Sequence, residues 1–514
     1  MNIGRLITDA VNRFPDRIAI SFLDNKRTFS EFNKRVNRLA NSLLQLGLQK
    51  GDRVADILQN SDNTLEVDFA LAKAGLIRIA VNYRLTPEEV LHSVNDSGAL
   101  AVIAHEKFMN QVSFVKENSP RAKWFIGIGK SLDKSVFNHS YQDLMETGDE
   151  REPDIYIDEN DIVSLNYTGG TTGRSKGAIR THRMRLEGVR NALMAFNHET
   201  SPDDVFLHAG PMNHMSGLFA LPHFVMGAKN VIMPKFDARV VLETIEKEKV
   251  TRTALVPTMI VRLLNETELN RYDLSSLKFV IYGGAPMPLG ILQQAIGVMG
   301  NKFLQIYGMA ECIPPVTVLR PGDHEGSITE IMNSTGRPVL GVDLKVVDKS
   351  GSEAPVGEIG EIVTRGPHVM RGYWNDYIKT RDAIVNGWLY TGDLGFRDEK
   401  GFIHLVDRSK DMIISGGYNI YPKELEEVLY QHPAVLEAAV VGIPDPEWGE
   451  VVKAFVVLQE GMKASEDDLI QYVKKHLASY KKPKYVQFMK ELPKSSLGKI
   501  LKRELRKLGN SEGQ

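Results

Sequence analysis

Short apolar runs alternate with segments of helical spacing from the first residues of this chain onward. That alternation restricts the fold more than any other feature. Arg17–Phe22 reads as a strand. Thr28 and Glu31 then have capping-box spacing, and Phe32, Val36, Leu39, Leu43 and Leu46 follow at helical intervals, with Gly47 as a stop. Gly51-Asp52 turns the chain into a second strand, Arg53–Leu58. A second helical pattern runs from about Asn63 to Ala74 and ends at Gly75, and Ala99–Ala104 is a buried-strand run. Strands separated by helices predict a largely parallel, layered α/β sheet.

At 514 residues the chain exceeds what one hydrophobic core usually serves, so at least two domains are expected. The segment Ser131–Asp161 is polar and reads as surface connection. Past Asp393 the chain is rich in glycine and charge as far as Tyr421. A helical pattern over Pro422–Tyr430 follows, then strand patterns over Ala438–Val441 and Val451–Leu458, then a helix near Glu466–Ala478. This is a compact α+β unit, and the boundary falls near Asp407–Asp411. The tail Gly509–Gln514 is expected to be disordered.

Composition excludes several classes of function. A net charge of −2 gives no global field to draw a polyanion, so nucleic acid is not an expected partner. The single cysteine, Cys312, cannot form an intrachain disulfide. The stretch Met1–Pro15 is amphipathic and lacks the apolar run of a signal peptide, and no run of about 18 apolar residues offers a membrane span. The expectation is a cytoplasmic protein.

The most informative segment is Tyr167-Thr168-Gly169-Gly170-Thr171-Thr172-Gly173-Arg174-Ser175-Lys176-Gly177, which follows an apolar strand run, Ile162–Asn166. Glycines let backbone N–H groups approach closely, threonine hydroxyls donate, and lysine supplies charge, which together suit a polyphosphate. Composition alone fits a surface hairpin equally well. Lys176 is followed by glycine, so the P-loop pattern is absent. Gly173-Arg174-Ser175-Lys176-Gly177 does match the hydrolase Gly-x-Ser-x-Gly elbow, but that elbow sits directly at a strand end and opens a helix. Here a glycine-threonine loop separates Ser175 from the strand.

This loop resembles the signature of the adenylate-forming superfamily, which includes acyl- and aryl-CoA synthetases, peptide-synthetase adenylation domains and luciferases. It departs from that signature at Gly169 and Ser175, where serine and proline are usual. Further segments resemble the family's parts, in the family's order, from Asn82-Tyr83-Arg84-Leu85 to Lys499. The resemblance implies an α/β fold with a large N-terminal domain of layered α/β subdomains over 1–407, a hinge at 408–410 and a small mobile α+β domain over 411–514. It also implies a two-step reaction, in which ATP activates a carboxylic acid as an acyl-adenylate and a thiol, taken to be coenzyme A, then receives the acyl group. ATP and CoA are the implied co-substrates and Mg²⁺ the cofactor. A homodimer is compatible with it.

Residue roles carry over on the matching segments. Thr168, Gly169, Gly170, Thr171, Thr172, Gly173 and Lys176 would cradle the phosphates. Gln305-Ile306-Tyr307-Gly308-Met309-Ala310-Glu311 looks like the family's Tyr-Gly-x-Thr-Glu segment, with Glu311 on Mg²⁺, Tyr307 and Gly308 near the adenine and Met309 near the acyl pocket. Ala310 stands where threonine is usual. Gly283-Gly284-Ala285-Pro286 would shape the acyl pocket beside the adenine, and His214 would line the passage between acyl group and nucleotide. Asp393 and Arg408 would take the ribose, with Lys410 the pivot. Lys499 would be the adenylation lysine. Gly416 and Gly417 would flank a pantetheine tunnel, and Trp448, Tyr480 and Lys482 would meet the CoA nucleotide. Tyr418 departs from the family, which often has glutamate there. Met212, Met215, Phe219 and Met309 suggest an apolar acyl pocket for a medium- or long-chain fatty acid, with an aryl or alicyclic acid as the alternative. Two rivals are carried alongside: an enzyme that loads a carrier protein, and a non-catalytic nucleotide-binding protein.

Overall fold

The computed structural model describes residues 1–168, 175–285, 287–324, 329–494 and 500–511. Among these residues the chain forms four sheets. The first has seven strands, in the order His139–Ser140, Trp124–Ile128, Ala101–His105, Arg53–Ile57, Ile77–Val81, Ile162–Thr168, Lys176–Thr181. All neighbours are parallel except the last pair, where Thr168 stands opposite Lys176 in an antiparallel ladder. The second has nine strands, and its centre is parallel: Phe303–Tyr307, Phe279–Gly283, Arg252–Leu255, Val205–His208, Lys229–Ile232 and Ile18–Phe22 lie side by side. Helices connect most of these strands, as the alternation in the sequence requires.

Local chemistry sets the element ends. Thr28 accepts from the Glu31 N–H while the Glu31 carboxylate accepts from the Thr28 N–H, the capping box that opens helix Phe29–Gln45. Helix Asp62–Ala74 ends at Gly75 in the left-handed conformation, φ +68°, where a side chain would be strained. That helix is buried on nearly every side and packs against strands of both large sheets. Its buried charges are each partnered: Asp62 by Arg27, Glu66 by Arg35, Asp68 by Arg78 and Arg185, Lys73 by Glu152.

A third, antiparallel sheet holds Asp343–Val347, Gly360–Arg365, Ile384–Val385, Trp388–Arg397 and Ile403–Arg408. The next strand, Ile413–Ser415, already belongs to the fourth sheet, with Tyr418–Ile420, Val435–Asp445, Gly449–Leu458 and Tyr485–Phe488. Helices Pro422–Tyr430 and Glu466–His476 cover one core of this sheet, and Lys502–Ser511 supplies Leu505 to a second. The fold is therefore the expected α/β assembly, with a large N-terminal part and a small α+β C-terminal part.

Two expectations need correction. Ser131–Asp161 is not merely a surface connection: it contributes strand His139–Ser140 and helix Tyr141–Thr147, and Tyr141 is buried with its hydroxyl donating to Glu66 at 2.7 Å. Gly509 to Ser511 belong to the last helix, where a disordered tail was expected from Gly509 onward. No helix among the described residues is long and apolar enough to cross a membrane.

Candidate functional site

The carboxyl ends of the parallel strands, the usual place for a ligand in an open α/β sheet, carry Thr168, Gly283 and Tyr307 among the expected residues. Phe279–Gly283 and Phe303–Tyr307 are neighbours, with Gly283 opposite Ile306. Gly283 must be small, because a Cβ there would meet the Ile306 carbonyl oxygen at 2.5 Å. Gly284 follows at φ +75° with open space around it, and Ala285 is exposed. A bare backbone edge thus lies beside Tyr307. Gly308 leaves no room for a side chain either, since a Cβ would come within 2.9 Å of Pro314.

Tyr307 donates its phenol to Asp393 Oδ2 at 2.8 Å, and Arg408 Nε lies 3.0 Å from Asp393 Oδ1. Strand register explains the second contact, because Asp393 stands opposite Arg408 in the third sheet. The Asp393 carboxylate is therefore buried yet doubly partnered. Burial and that carboxylate push the Tyr307 phenol well above its ordinary pKa, so it stays a donor. Burial alone would lower Arg408, but Asp393, Tyr307, Asp411 and Glu311 together outweigh it and hold the guanidinium above its ordinary value.

Glu311 accepts from the Tyr373 phenol at 2.9 Å. It is half-buried, and no cluster of three or more potential metal ligands exists among the described residues. A single oriented carboxylate does not make a protein-built metal cage. It does fit magnesium that arrives on substrate phosphates, since that ion takes one or two carboxylates and keeps its waters. Cys312 next to it is buried, and burial pushes its thiol up to about 12, so it is no nucleophile.

Lys176 opens strand Lys176–Thr181, with its ammonium 4.9 Å from the centre of the Tyr373 ring. Burial, then the neighbouring Lys379, lower its pKa. Thr168 ends the preceding strand. Gly169, Gly170, Thr171, Thr172 and Gly173 lie outside the described residues, as do Pro286 and Lys499. Ser175, whose carbonyl bonds His92 Nε2 at 2.9 Å, leads into a strand rather than a helix, which removes the hydrolase elbow.

His214 follows strand Val205–His208 and lines a cavity of about 80 Å³. Its lining combines apolar side chains, Met212, Leu218, Leu221 and Ile313, with charged ones, Asp68, Arg78, Arg180 and Arg185. Met215 and Phe219 do not line it; they are buried in a core cluster, with Met309 packed against that cluster. Arg180 donates to the Ala310 carbonyl through Nη2 at 3.1 Å and Nε at 3.3 Å.

In the C-terminal part, Gly416 (φ +55°) donates its N–H to the Trp448 carbonyl at 2.9 Å, and a Cβ there would meet the indole at 2.6 Å. Gly417 (φ +82°) has open space around it. Tyr418 and Tyr480 pack with ring centroids 4.8 Å apart. Trp448, Tyr418 and Tyr480 are 48%, 58% and 47% exposed, an unusual amount of aromatic surface to leave to water. Of the basic run beside them, Lys481 is held by Glu424 and Lys484 by Asp445, while Lys482 is exposed and makes no ion pair among the described residues. Lys410 is exposed between the third and fourth sheets. Sequence reasoning missed Tyr373, Arg180 and Asn213. Arg180 carried a signal, a charge at a buried position of a strand whose neighbours Ala178 and Ile179 are apolar; Tyr373 carried none.

Residues 7–374 match the family described as AMP-binding enzyme, and residues 424–499 match the AMP-binding enzyme C-terminal domain. A feruloyl-CoA synthase from Amycolatopsis sp is 37% identical over 495 residues, covering 96% of this chain and 96% of that protein. A long-chain-fatty-acid–CoA ligase from Bacillus subtilis (strain 168) is 36% identical over 528 residues, covering 97% and 93%. The solved structure of ATP-bound MatB from Rhodopseudomonas palustris is similar at a TM-score of 0.90 and 30% identity, covering 100% of each chain. With sequence matches across nearly its whole length and a fold shared from end to end, the chain belongs to the AMP-binding enzyme family.

Proposed function

We propose that this chain is an AMP-forming acid–CoA ligase. The observation that carries the reading is the Tyr307–Asp393–Arg408 array beside Glu311: a buried carboxylate aimed where vicinal hydroxyls can be bound, next to a carboxylate suited to Mg²⁺. Relatives named as CoA synthases and ligases support the same reaction class.

In the first step an oxygen of the acid's carboxylate attacks the α-phosphorus of ATP, and the bond to pyrophosphate breaks. Magnesium on Glu311 would offset charge on the phosphates. Thr168, Gly169, Gly170, Thr171, Thr172, Gly173 and Lys176 hold the triphosphate, and Lys499 meets the charge that builds on it. Asp393 and Arg408 take the ribose, while Gly284, Ala285, Tyr307 and Gly308 border the adenine. His214, Gly283 and Met309 stand at the acyl side. In the second step the CoA thiolate attacks the carbonyl carbon and the bond to AMP breaks. Gly416 and Gly417 admit the pantetheine arm, and Trp448, Tyr480 and Lys482 receive the nucleotide end. That exposed aromatic and cationic surface favours free CoA over a carrier-borne arm. The working division is 1–407, a hinge 408–410 about Lys410, and 411–514; the change of sheet between Arg408 and Ile413 supports it.

The test separates the half-reactions. Lys499→Ala should slow pyrophosphate release by about a thousandfold or more, the scale of losing a fixed transition-state charge. Supplied acyl-adenylate should still react with CoA at near the wild-type rate. Equal loss in both halves would contradict the assignment.

A further inference from the structure

The lining of the cavity beside His214 holds charge that the reaction above does not use. Three guanidiniums meet there. Arg78 is held by Asp56 through two 2.8 Å contacts and by Asp68 at 3.0 Å. Arg185 is held by Asp68 at 3.0 and 2.8 Å. Arg180 is different. It is 7% exposed, its side chain donates to one neutral acceptor, the Ala310 carbonyl, and no carboxylate lies within ion-pair distance among the described residues. Three cations against two anions leave one positive charge over, and it sits on Arg180.

A buried cation without a counter-ion is costly, and a fold retains one where something else supplies the anion. Glu311 favours the Arg180 cation from a distance but does not offset its burial, makes no ion pair with it among the described residues, and is engaged by Tyr373 as the group proposed for magnesium. A second irregularity points the same way. Both polar atoms of the Asn213 side chain are shielded from solvent and lack a hydrogen-bond partner, and Asn213 lines the same cavity. Ser164 and Asn166 line it too. The lining therefore offers a surplus cation, an amide that can donate and accept, and a hydroxyl. Met212, Leu218, Leu221 and Ile313 in the same lining would flank a short carbon skeleton.

We infer that the acid this enzyme activates carries a second, anionic group, bound by Arg180 and Asn213 at the far side of His214 from the nucleotide. The substrate class is a dicarboxylic acid, or an aryl acid with an acidic substituent, rather than a plain fatty acid. The inference rests on the acid–CoA ligase reading. Burial and the neighbouring Arg185 lower the Arg180 pKa to about 10, so the group is still a cation at neutral pH.

The experiment is pyrophosphate release by the full-length enzyme with matched pairs of acids: α,ω-diacids against monoacids of equal chain length, and carboxy-substituted benzoates or cinnamates against their methyl counterparts. The expected result is at least a tenfold higher kcat/KM for the anionic member of the best pair, carried mainly by KM. Arg180→Met should bring the two members within about threefold of each other, and Arg180→Lys, which keeps the charge, should restore part of the difference. Wild-type preference for the uncharged member would overturn the inference. So would an Arg180→Met enzyme that loses both members by the same factor, since that marks a structural role. Those outcomes leave the ligase reading standing. Acid-independent ATP turnover, or none with any acid, would overturn that reading and this inference with it.

Discussion

Tyr373 shows how one phenol can orient the carboxylate proposed to hold magnesium. Its hydroxyl donates to Glu311 at 2.9 Å, and its ring faces the Lys176 ammonium at 4.9 Å. It thus touches both the proposed magnesium ligand and the lysine at the base of the proposed phosphate loop. A hydrogen bond to a charged group contributes about 1.5–3 kcal/mol. Tyr373→Phe removes that bond and keeps the ring. The Mg²⁺ concentration for half-maximal pyrophosphate release should therefore rise about tenfold, while circular dichroism and melting temperature stay close to wild type. An unchanged Mg²⁺ requirement would show that Glu311 needs no help in holding its orientation.

At the scale of elements, Gly416 and the turn that carries Trp448, between strands Val435–Asp445 and Gly449–Leu458, form the surface proposed for the second step. A side chain at Gly416 would sit at φ +55° and within 2.6 Å of the indole. Gly416→Val should therefore tip Trp448 and slow thioester formation from supplied adenylate by about tenfold or more. Acyl-adenylate formation should stay within about twofold; a larger loss in that step would count against a role confined to CoA. Elements with strong local signals were legible in the sequence. Helix Pro422–Tyr430 has the bounds its pattern gave, because proline fixes the first turn and the apolar spacing fixes the rest. Helix Tyr141–Thr147 escaped notice, since its anchor is a hydroxyl on Glu66, far away in sequence. The pairing of Asp393 with Arg408 depends on strand register, and the one on Tyr307 depends on two sheets meeting; local spacing reports neither. The charged lining of the cavity is tertiary in the same sense. Arg78, Arg180 and Arg185 come from separate elements, and three residues that looked like an apolar lining, Met215, Phe219 and Met309, belong to a core cluster or pack on it.

For the whole molecule, buried histidines are predicted to set the acid limit of stability. Burial pushes the His105, His182, His208 and His368 imidazoles down to about 4 and His223 to about 3. His208 is enclosed between the Ser216 hydroxyl at 3.0 Å and Asn230 Oδ1 at 2.9 Å, partners that suit a neutral ring. These folded-state values lie below the unfolded value, about 6.5. Their contribution is complete above that pH and is lost as pH falls from about 6.5 towards 4. In that window each such group can cost up to about 1.4 kcal/mol per pH unit. The urea midpoint should fall steadily from pH 7 to pH 4.5, and His208→Gln should flatten the fall. A midpoint constant across that range would contradict neutral burial. The central claim, that the acid's own oxygen bonds to the α-phosphorus of ATP, has a direct test in isotope transfer. An acid that supports pyrophosphate release, labelled with ¹⁸O in both carboxyl oxygens, is converted with ATP and CoA, and the AMP is weighed by mass spectrometry. The account predicts one ¹⁸O in each AMP and none in pyrophosphate; label in inorganic phosphate, or AMP without label, would contradict it.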